Sequence, residues 1–305
     1  MNLKKYRILI IGYGLMGRKH AKVLKSMGVK DLFFYSKQKN IPYMRINNLN
    51  DVRKIDPHYI IISSNTTDHY QQLNLLEKKI RNKTILIEKP LFAKYKKMKT
   101  KYNKIFVGYN LRFHPIIQFI KNKIKTKKIW SASVICGSYL PNWRNNRNYY
   151  NSHSAKKKYG GGVLLELSHE IDYFLWFFNN FQIENVFNKK ISNLQINTDD
   201  VLDLVGKNKN VKYISIKLNY FFRSPMRKIF IDGNDISINA DLINNSLSIV
   251  EKNIQKKYSW PEFTNLDTYK SLHKHILNKN YKFLCKYNDG LKVIKLIDQI
   301  KNYKN

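Results

Sequence analysis

Ile8-Leu9-Ile10-Ile11-Gly12-Tyr13-Gly14-Leu15-Met16-Gly17 is the stretch that decides the fold. A short apolar run is how a strand buried on both faces reads, and here it ends in a glycine turn that opens a helical pattern over Leu15–Met27. The first glycine permits a tight turn, and the second lets a pyrophosphate approach the backbone. The third allows close packing of helix on strand, and the helix N-terminus faces the phosphates. Strand, turn and helix in this order make Gly12, Gly14, Leu15, Met16 and Gly17 candidate residues for holding a dinucleotide.

Outward from this unit the same alternation continues. Strand patterns fall at Leu32–Tyr35, Tyr59–Ser63, Thr84–Ile87 and Ile105–Gly108, with helical patterns near Asn50–Ile55 and at Asp68–Lys79. Such alternation implies parallel βαβ units in a doubly wound sheet. After His114-Pro115 the rhythm changes. A helix to Ile124 is expected, then a strand over Ile129–Cys136, a polar loop from Pro141 to Tyr159, and an apolar helix from about Gly162 to Phe178. Between Ile183 and Val250 alternating segments such as Tyr213–Phe221, Arg227–Ile231 and Leu247–Val250 are separated by Asn, Asp and Gly turns, which reads as a mostly antiparallel sheet. Two helices follow, about Asn265–Leu277 and Asp289–Tyr303. The expectation is an α/β Rossmann domain over 1–113 and an α+β domain with an open sheet over 114–305, the closing helix 289–303 packing at their junction.

With 305 residues and 43% apolar content, two globular cores are affordable on size alone. The net charge of +35 raises nucleic acid or an anionic membrane as partners. Yet the lysines are spread along the chain beside abundant Asn and Ile, the joint enrichment that AT-rich codons give. Solvated faces are the favoured reading, with no nucleic-acid or membrane partner. Cys136 and Cys285 show neither metal-ligand spacing nor a paired framework, which fits free thiols in a cytoplasmic protein, and no metal is expected. No apolar run approaches the roughly 20 residues of a membrane helix, and the N-terminal segment reads as a strand, not a signal peptide.

Several further motifs carry chemistry. The second strand ends at Tyr35 and is followed by Ser36-Lys37, where NAD enzymes usually place an acid; a hydroxyl and an ammonium lean towards the 2′-phosphate of NADP. Ser63, Asn65, Thr67 and His69 follow the third strand, where hydroxyls and amides cap a helix or face a cofactor, His69 alone reading as a helix-surface residue. Glu88-Lys89-Pro90 ends the run Ile85-Leu86-Ile87, at the strand edge where open α/β sheets bind ligands. An ammonium there can bind a substrate oxygen, or give up a proton if desolvation lowers its pKa. Finally, Glu166, His169 and Asp172 follow a triple glycine (Gly160-Gly161-Gly162) at i,i+3 spacing, one polar line on an apolar helix. Carboxylates beside an imidazole fix its tautomer and raise its basicity, as a general acid/base requires.

In their joint order these motifs resemble the Gfo/Idh/MocA family of NAD(P)-dependent oxidoreductases. The likeness is carried by the glycine turn, Glu88-Lys89-Pro90, Gly108-Tyr109-Asn110-Leu111-Arg112-Phe113-His114-Pro115, Asn142-Trp143-Arg144, the triple-glycine segment with His169, and Asp289-Gly290-Leu291-Lys292-Val293. It implies that Lys89 and His169 face the reacting carbon of a sugar-like substrate. It places Glu88 near the nicotinamide ribose, and Asn110, Arg112, Trp143 and Arg144 near the cofactor and substrate. Tyr149 and Asp172 are further candidates for substrate contact. The family often shows an Asp four residues before the catalytic His, whereas here Glu166 stands three before it. The resemblance also implies a homo-oligomer, dimer or tetramer, through the C-terminal sheet, and a branch associated with bacterial surface-polysaccharide sugars. A non-catalytic NAD(P)H sensor of the same fold is the alternative.

Overall fold

The computed structural model describes residues 3–143 and 148–303, which divide into two compact units. The first comprises Met1–Phe113 together with Thr264–Ile294, and the second His114–Phe263 together with Lys295–Asn305. The first unit is thus discontinuous, where the sequence suggested one uninterrupted segment before residue 114.

In the first unit the elements are β1 (Ile8–Ile11), α1 (Leu15–Ser26), β2 (Leu32–Tyr35), β3 (Met44–Ile46), α2 (Val52–Ile55), β4 (Tyr59–Ile62), α3 (His69–Lys79), β5 (Thr84–Ile87) and β6 (Lys104–Val107). In the second they are α4 (Pro115–Lys123), β7 (Ile129–Gly137), α5 (Val163–Glu166), α6 (His169–Phe178), β8 (Gln182–Lys189), β9 (Val201–Lys207), β10 (Tyr213–Asn219), β11 (Met226–Gly233), β12 (Ile236–Asp241), β13 (Ser246–Glu251) and β14 (Ile254–Ser259). The chain then supplies α7 (Asn265–Leu277), β15 (Cys285–Lys286) and α8 (Tyr287–Lys301).

The first sheet has the order β15-β6-β5-β4-β1-β2-β3, parallel except for the antiparallel β15 at its edge. Strand order therefore reverses between β1 and β4, the topological switch point at which such sheets bind ligands. All four residues of β1 and of β4 are buried, as their unbroken apolar character requires. Each isoleucine or leucine so buried contributes about 1.5–3 kcal/mol. α7 belongs to this unit because its apolar face is spent there: Leu272, Ile276 and Leu277 join Ile8, Ile10, Leu24 and Ile61 in one core.

The second sheet has the order β14-β13-β12-β11-β7-β10-β9-β8 and is antiparallel except where β10 runs parallel to β7. The α/β-then-α+β class expected from the sequence is the fold observed. The expected helix over 162–178 is two helices, interrupted by a turn at Leu167–Ser168. Serine competes for backbone hydrogen bonds and so disfavours a helix interior.

His114 opens α4. Its Nδ1 accepts from the Ile116 amide at 3.2 Å while Nε2 lies 3.0 Å from the Asn245 side-chain oxygen, so the ring serves as a neutral cap. Burial lowers its pKa from 6.5 to about 4. Because the folded value lies below the unfolded one, the unfolded chain binds more protons between those limits, and stability falls as pH drops from 6.5 towards 4. The expected loss from this residue is about 3 kcal/mol. Urea titrations across that range should show a shallower slope for His114→Gln than for wild type; equal slopes would refute the assignment.

Candidate functional site

The glycine turn lies at the switch point, directly after β1 and against the residues that follow β4. A Cβ on Gly17 would sit 2.0 Å from the Gly12 carbonyl oxygen, so the turn closes only without a side chain there. Gly12 has φ +98°, and its own Cβ would meet the Ser63 carbonyl at 2.8 Å. Gly14 is the opposite case. It is exposed, a Cβ there would meet nothing within 4 Å, and it precedes α1 without a side-chain cap. Open backbone at the N-terminus of a 12-residue helix is what a pyrophosphate needs. The residues present therefore fit a dinucleotide.

Around this turn the other candidates divide by what they already hold. Ser63 is buried and donates to the carbonyls of Ile11 and Gly12 at 3.0 and 3.2 Å, so its hydroxyl secures the turn. Asn65 and Thr67 are exposed at the start of the next helical segment. Ser36 accepts from the Gln38 amide at 3.1 Å, and Lys37 is exposed beside it. Leu15 is exposed and Met16 half-buried, both in the first turn of α1. His69, expected at a helix surface, is buried instead. Its Nδ1 lies 3.2 Å from the carbonyls of both Pro90 and Leu91, and its Nε2 lies 3.3 Å from that of Ser64. The ring lies between the segment after Glu88-Lys89 and the segment after β4, and burial lowers its pKa.

Glu88 is buried beyond the end of β5, one oxygen 2.8 Å from His20 Nε2 and the other accepting the Lys89 amide at 3.2 Å. Lys89 is half-buried, at the carboxyl edge of the sheet where the sequence placed it, and the Lys89–Pro90 peptide is cis. Asn110 and Arg112 occupy the buried turn Asn110–Phe113. Asn110 donates to the Thr268 hydroxyl of α7 at 2.6 Å, and Arg112 pairs with Asp289 of α8 at 3.3 Å. Both bind returning elements of their own unit. Sequence patterns gave no sign of that, because the partners lie more than 150 residues away.

In the second unit the break at Leu167–Ser168 removes the single polar line expected through Glu166, His169 and Asp172. His169 is the half-buried first residue of α6, and Asp172, one turn on, is buried. Glu166 ends α5 and lies 3.1 Å from His153 Nδ1. His153 was not singled out in the sequence, where a lone histidine in a polar loop carries no signal. It lines a cavity of about 310 Å³ with Leu140, Trp143, Asn148, Tyr149 and Asn151. Trp143 donates its indole N–H to the Ser138 hydroxyl at 2.6 Å, and the Tyr149 hydroxyl accepts the Gln195 amide at 3.0 Å. Arg144 lies outside the described residues. An aromatic, amide and imidazole lining suits a polyhydroxylated ring. α6 is anchored from its other side by Glu170, fully buried and paired with Arg227 of β11 at 2.8 Å. Nearby, burial pushes the Cys136 thiol up to about 12, which leaves it protonated and unreactive.

No protein-family model and no curated protein sequence matches this chain. Solved structures do resemble it. A dehydrogenase from Clostridium difficile aligns with a TM-score of 0.75 at 19% identity, over 98% of this chain and 99% of that one. A UDP-N-acetylglucosamine 3-dehydrogenase from Acidithiobacillus ferrooxidans gives 0.74 at 16%, over 97% and 96%. Levoglucosan dehydrogenase, in complex with NADH and levoglucosan, gives 0.80 at 16%, over 97% and 96%. At these identities the likeness establishes the architecture, a Rossmann domain followed by a mostly antiparallel sheet domain. The fold is the one these solved dehydrogenases have. Among the described residues, no helix is long and apolar enough to cross a membrane.

Proposed function

We propose that this protein is an NAD(P)-dependent oxidoreductase of the Gfo/Idh/MocA family, acting on a hydroxyl- or keto-bearing carbon of a sugar or nucleotide-sugar-like substrate. The observation that carries the reading is the open Gly14 backbone at the N-terminus of α1, at a switch point beside which strand β5 is followed by Glu88-Lys89. The solved dehydrogenases of this fold support it.

Gly12, Gly14 and Gly17, with the first-turn amides of α1, would hold the pyrophosphate, and Ser36 and Lys37 would meet the adenosine ribose. A bound nicotinamide supplies the hydride chemistry, and the protein supplies placement and proton handling. In oxidation His169 accepts the hydroxyl proton while the Lys89 ammonium stabilises the developing oxyanion; in reduction the roles reverse. Trp143, Tyr149 and His153 line the cavity that suits the sugar ring. Exposed Trp130, Phe187 and Tyr213 on strands of the second sheet support the homo-oligomer that the family resemblance implies.

Fluorescence titration with NADH and NADPH tests the cofactor assignment. Wild type is expected to bind both and to prefer NADPH through Ser36-Lys37. Gly14→Val, which adds a side chain into open space, is expected to keep the fold and lose binding. Folded protein that binds neither nucleotide would end the reading, and a clear preference for NADH would end the Ser36-Lys37 argument.

A further inference from the structure

We propose that Tyr59, His273 and His20 form a buried proton relay that connects Glu88, beside Lys89, to solvent at the opposite end of the parallel sheet. The inference rests on the proposed function, in which Lys89 acts on the reacting oxygen of the substrate. The links are continuous: Tyr59 hydroxyl to His273 Nδ1 at 3.1 Å, His273 Nε2 to His20 Nδ1 at 2.9 Å, and His20 Nε2 to Glu88 Oε1 at 2.8 Å. Tyr59 is 1% exposed, Glu88 5%, and the two histidines not at all. Tyr59 opens β4 and Glu88 follows the last residue of β5, so the chain spans a strand length, roughly 13 Å at about 3.3 Å per residue.

Proton positions follow from the carboxylate. An ionised Glu88 only accepts, so His20 donates from Nε2 and accepts at Nδ1. His273 must then donate from Nε2 and accept at Nδ1, where Tyr59 donates. Every link is satisfied with both rings neutral. Burial holds His273 well below its ordinary pKa, in agreement with that state. The other titratable groups around Glu88 are Lys19 of α1, His69 of α3 and Tyr269 of α7. None of them is a link in the chain.

The chain is also reversible. A proton arriving from water bonds to the Tyr59 oxygen while the Tyr59 proton passes to His273 Nδ1. The His273 Nε2 proton passes to His20 Nδ1, and the His20 Nε2 proton to Glu88 Oε1. Four bonds to hydrogen form and four break, both rings change tautomer, and the net result is one solvent proton on Glu88. The outer end is placed for this, because Tyr59 lines a surface cavity of about 170 Å³ together with Tyr6, His58 and Lys83. A network kept only for packing would be served equally by amides, which cannot exchange donor and acceptor in this way.

His273→Gln tests the difference. The amide can keep both hydrogen bonds, yet it cannot pass a proton. The expected result is unchanged NADH affinity and melting temperature, with kcat lowered about tenfold and a displaced pH profile. If this variant does not fold, Tyr59→Phe, which preserves the ring, is expected to give the same kinetic result. Imidazole ¹⁵N spectra of the nucleotide-free wild type should show Nε2–H tautomers, with the His273 ring neutral. A charged His273, or an Nδ1–H tautomer in either ring, overturns the relay. So does a His273→Gln enzyme with wild-type kcat and pH profile. If wild type turns over no sugar with either cofactor, the functional reading fails and the spectra alone judge the relay.

Discussion

Replacing Lys89 by alanine is expected to lower turnover about 10²–10⁴-fold, and His169→Ala by the same range, the contribution of a positioned acid or base. Each residue has a structural reason to act at one point. Lys89 follows a buried Glu88 that His20 holds, and its segment is tied down through Pro90 and Leu91 by His69. His169 begins α6, whose next residue is locked to β11. Neither side chain belongs to the glycine turn, so cofactor affinity should stay near wild type. The loss should therefore appear in kcat and kcat/KM together, the signature of an interaction made in the transition state. Wild-type turnover in either variant would remove that residue from the chemistry, whereas loss of NADH binding in both would point to a structural role.

Arg227→Met should be the most destabilising of the expected changes. Glu170 is fully buried, and removing its partner leaves a carboxylate in the interior with nothing to compensate its charge. Such a break costs about 3–5 kcal/mol, and the lower end applies here because the Arg227 side chain is 24% exposed. The urea midpoint should fall at constant m. The double variant Glu170→Gln/Arg227→Met, in which no charge is buried, should recover part of the loss. A single variant within about 0.5 kcal/mol of wild type, the range of ordinary surface changes, would show that the pair does not anchor α6.

How much of this was legible beforehand depended on range. The glycine turn and the strands β1, β2, β4, β5 and β6 follow from local periodicity, and they were readable to within a residue or so. The short β3 and β15 were not, since three- and two-residue strands show no period. The unbroken helix expected through Glu166 and His169 failed because apolar spacing continues across Leu167–Ser168 while the backbone ladder does not. His69 was misjudged for a related reason: helical spacing reports a face, not what another loop lays over it.

The sequence by itself determined the class of the fold and the carboxyl-edge position of Glu88-Lys89, because both arise from contacts between residues close along the chain. Only the tertiary structure decided that α7 returns to the first unit, that His153 meets Glu166, and that Glu88 ends a line of buried rings. His20 and His273 are 253 residues apart, and nothing in the spacing of either announces the other. Their pairing exists because α1 and α7 bury their faces in one core, which forces the polar groups caught between them to satisfy each other.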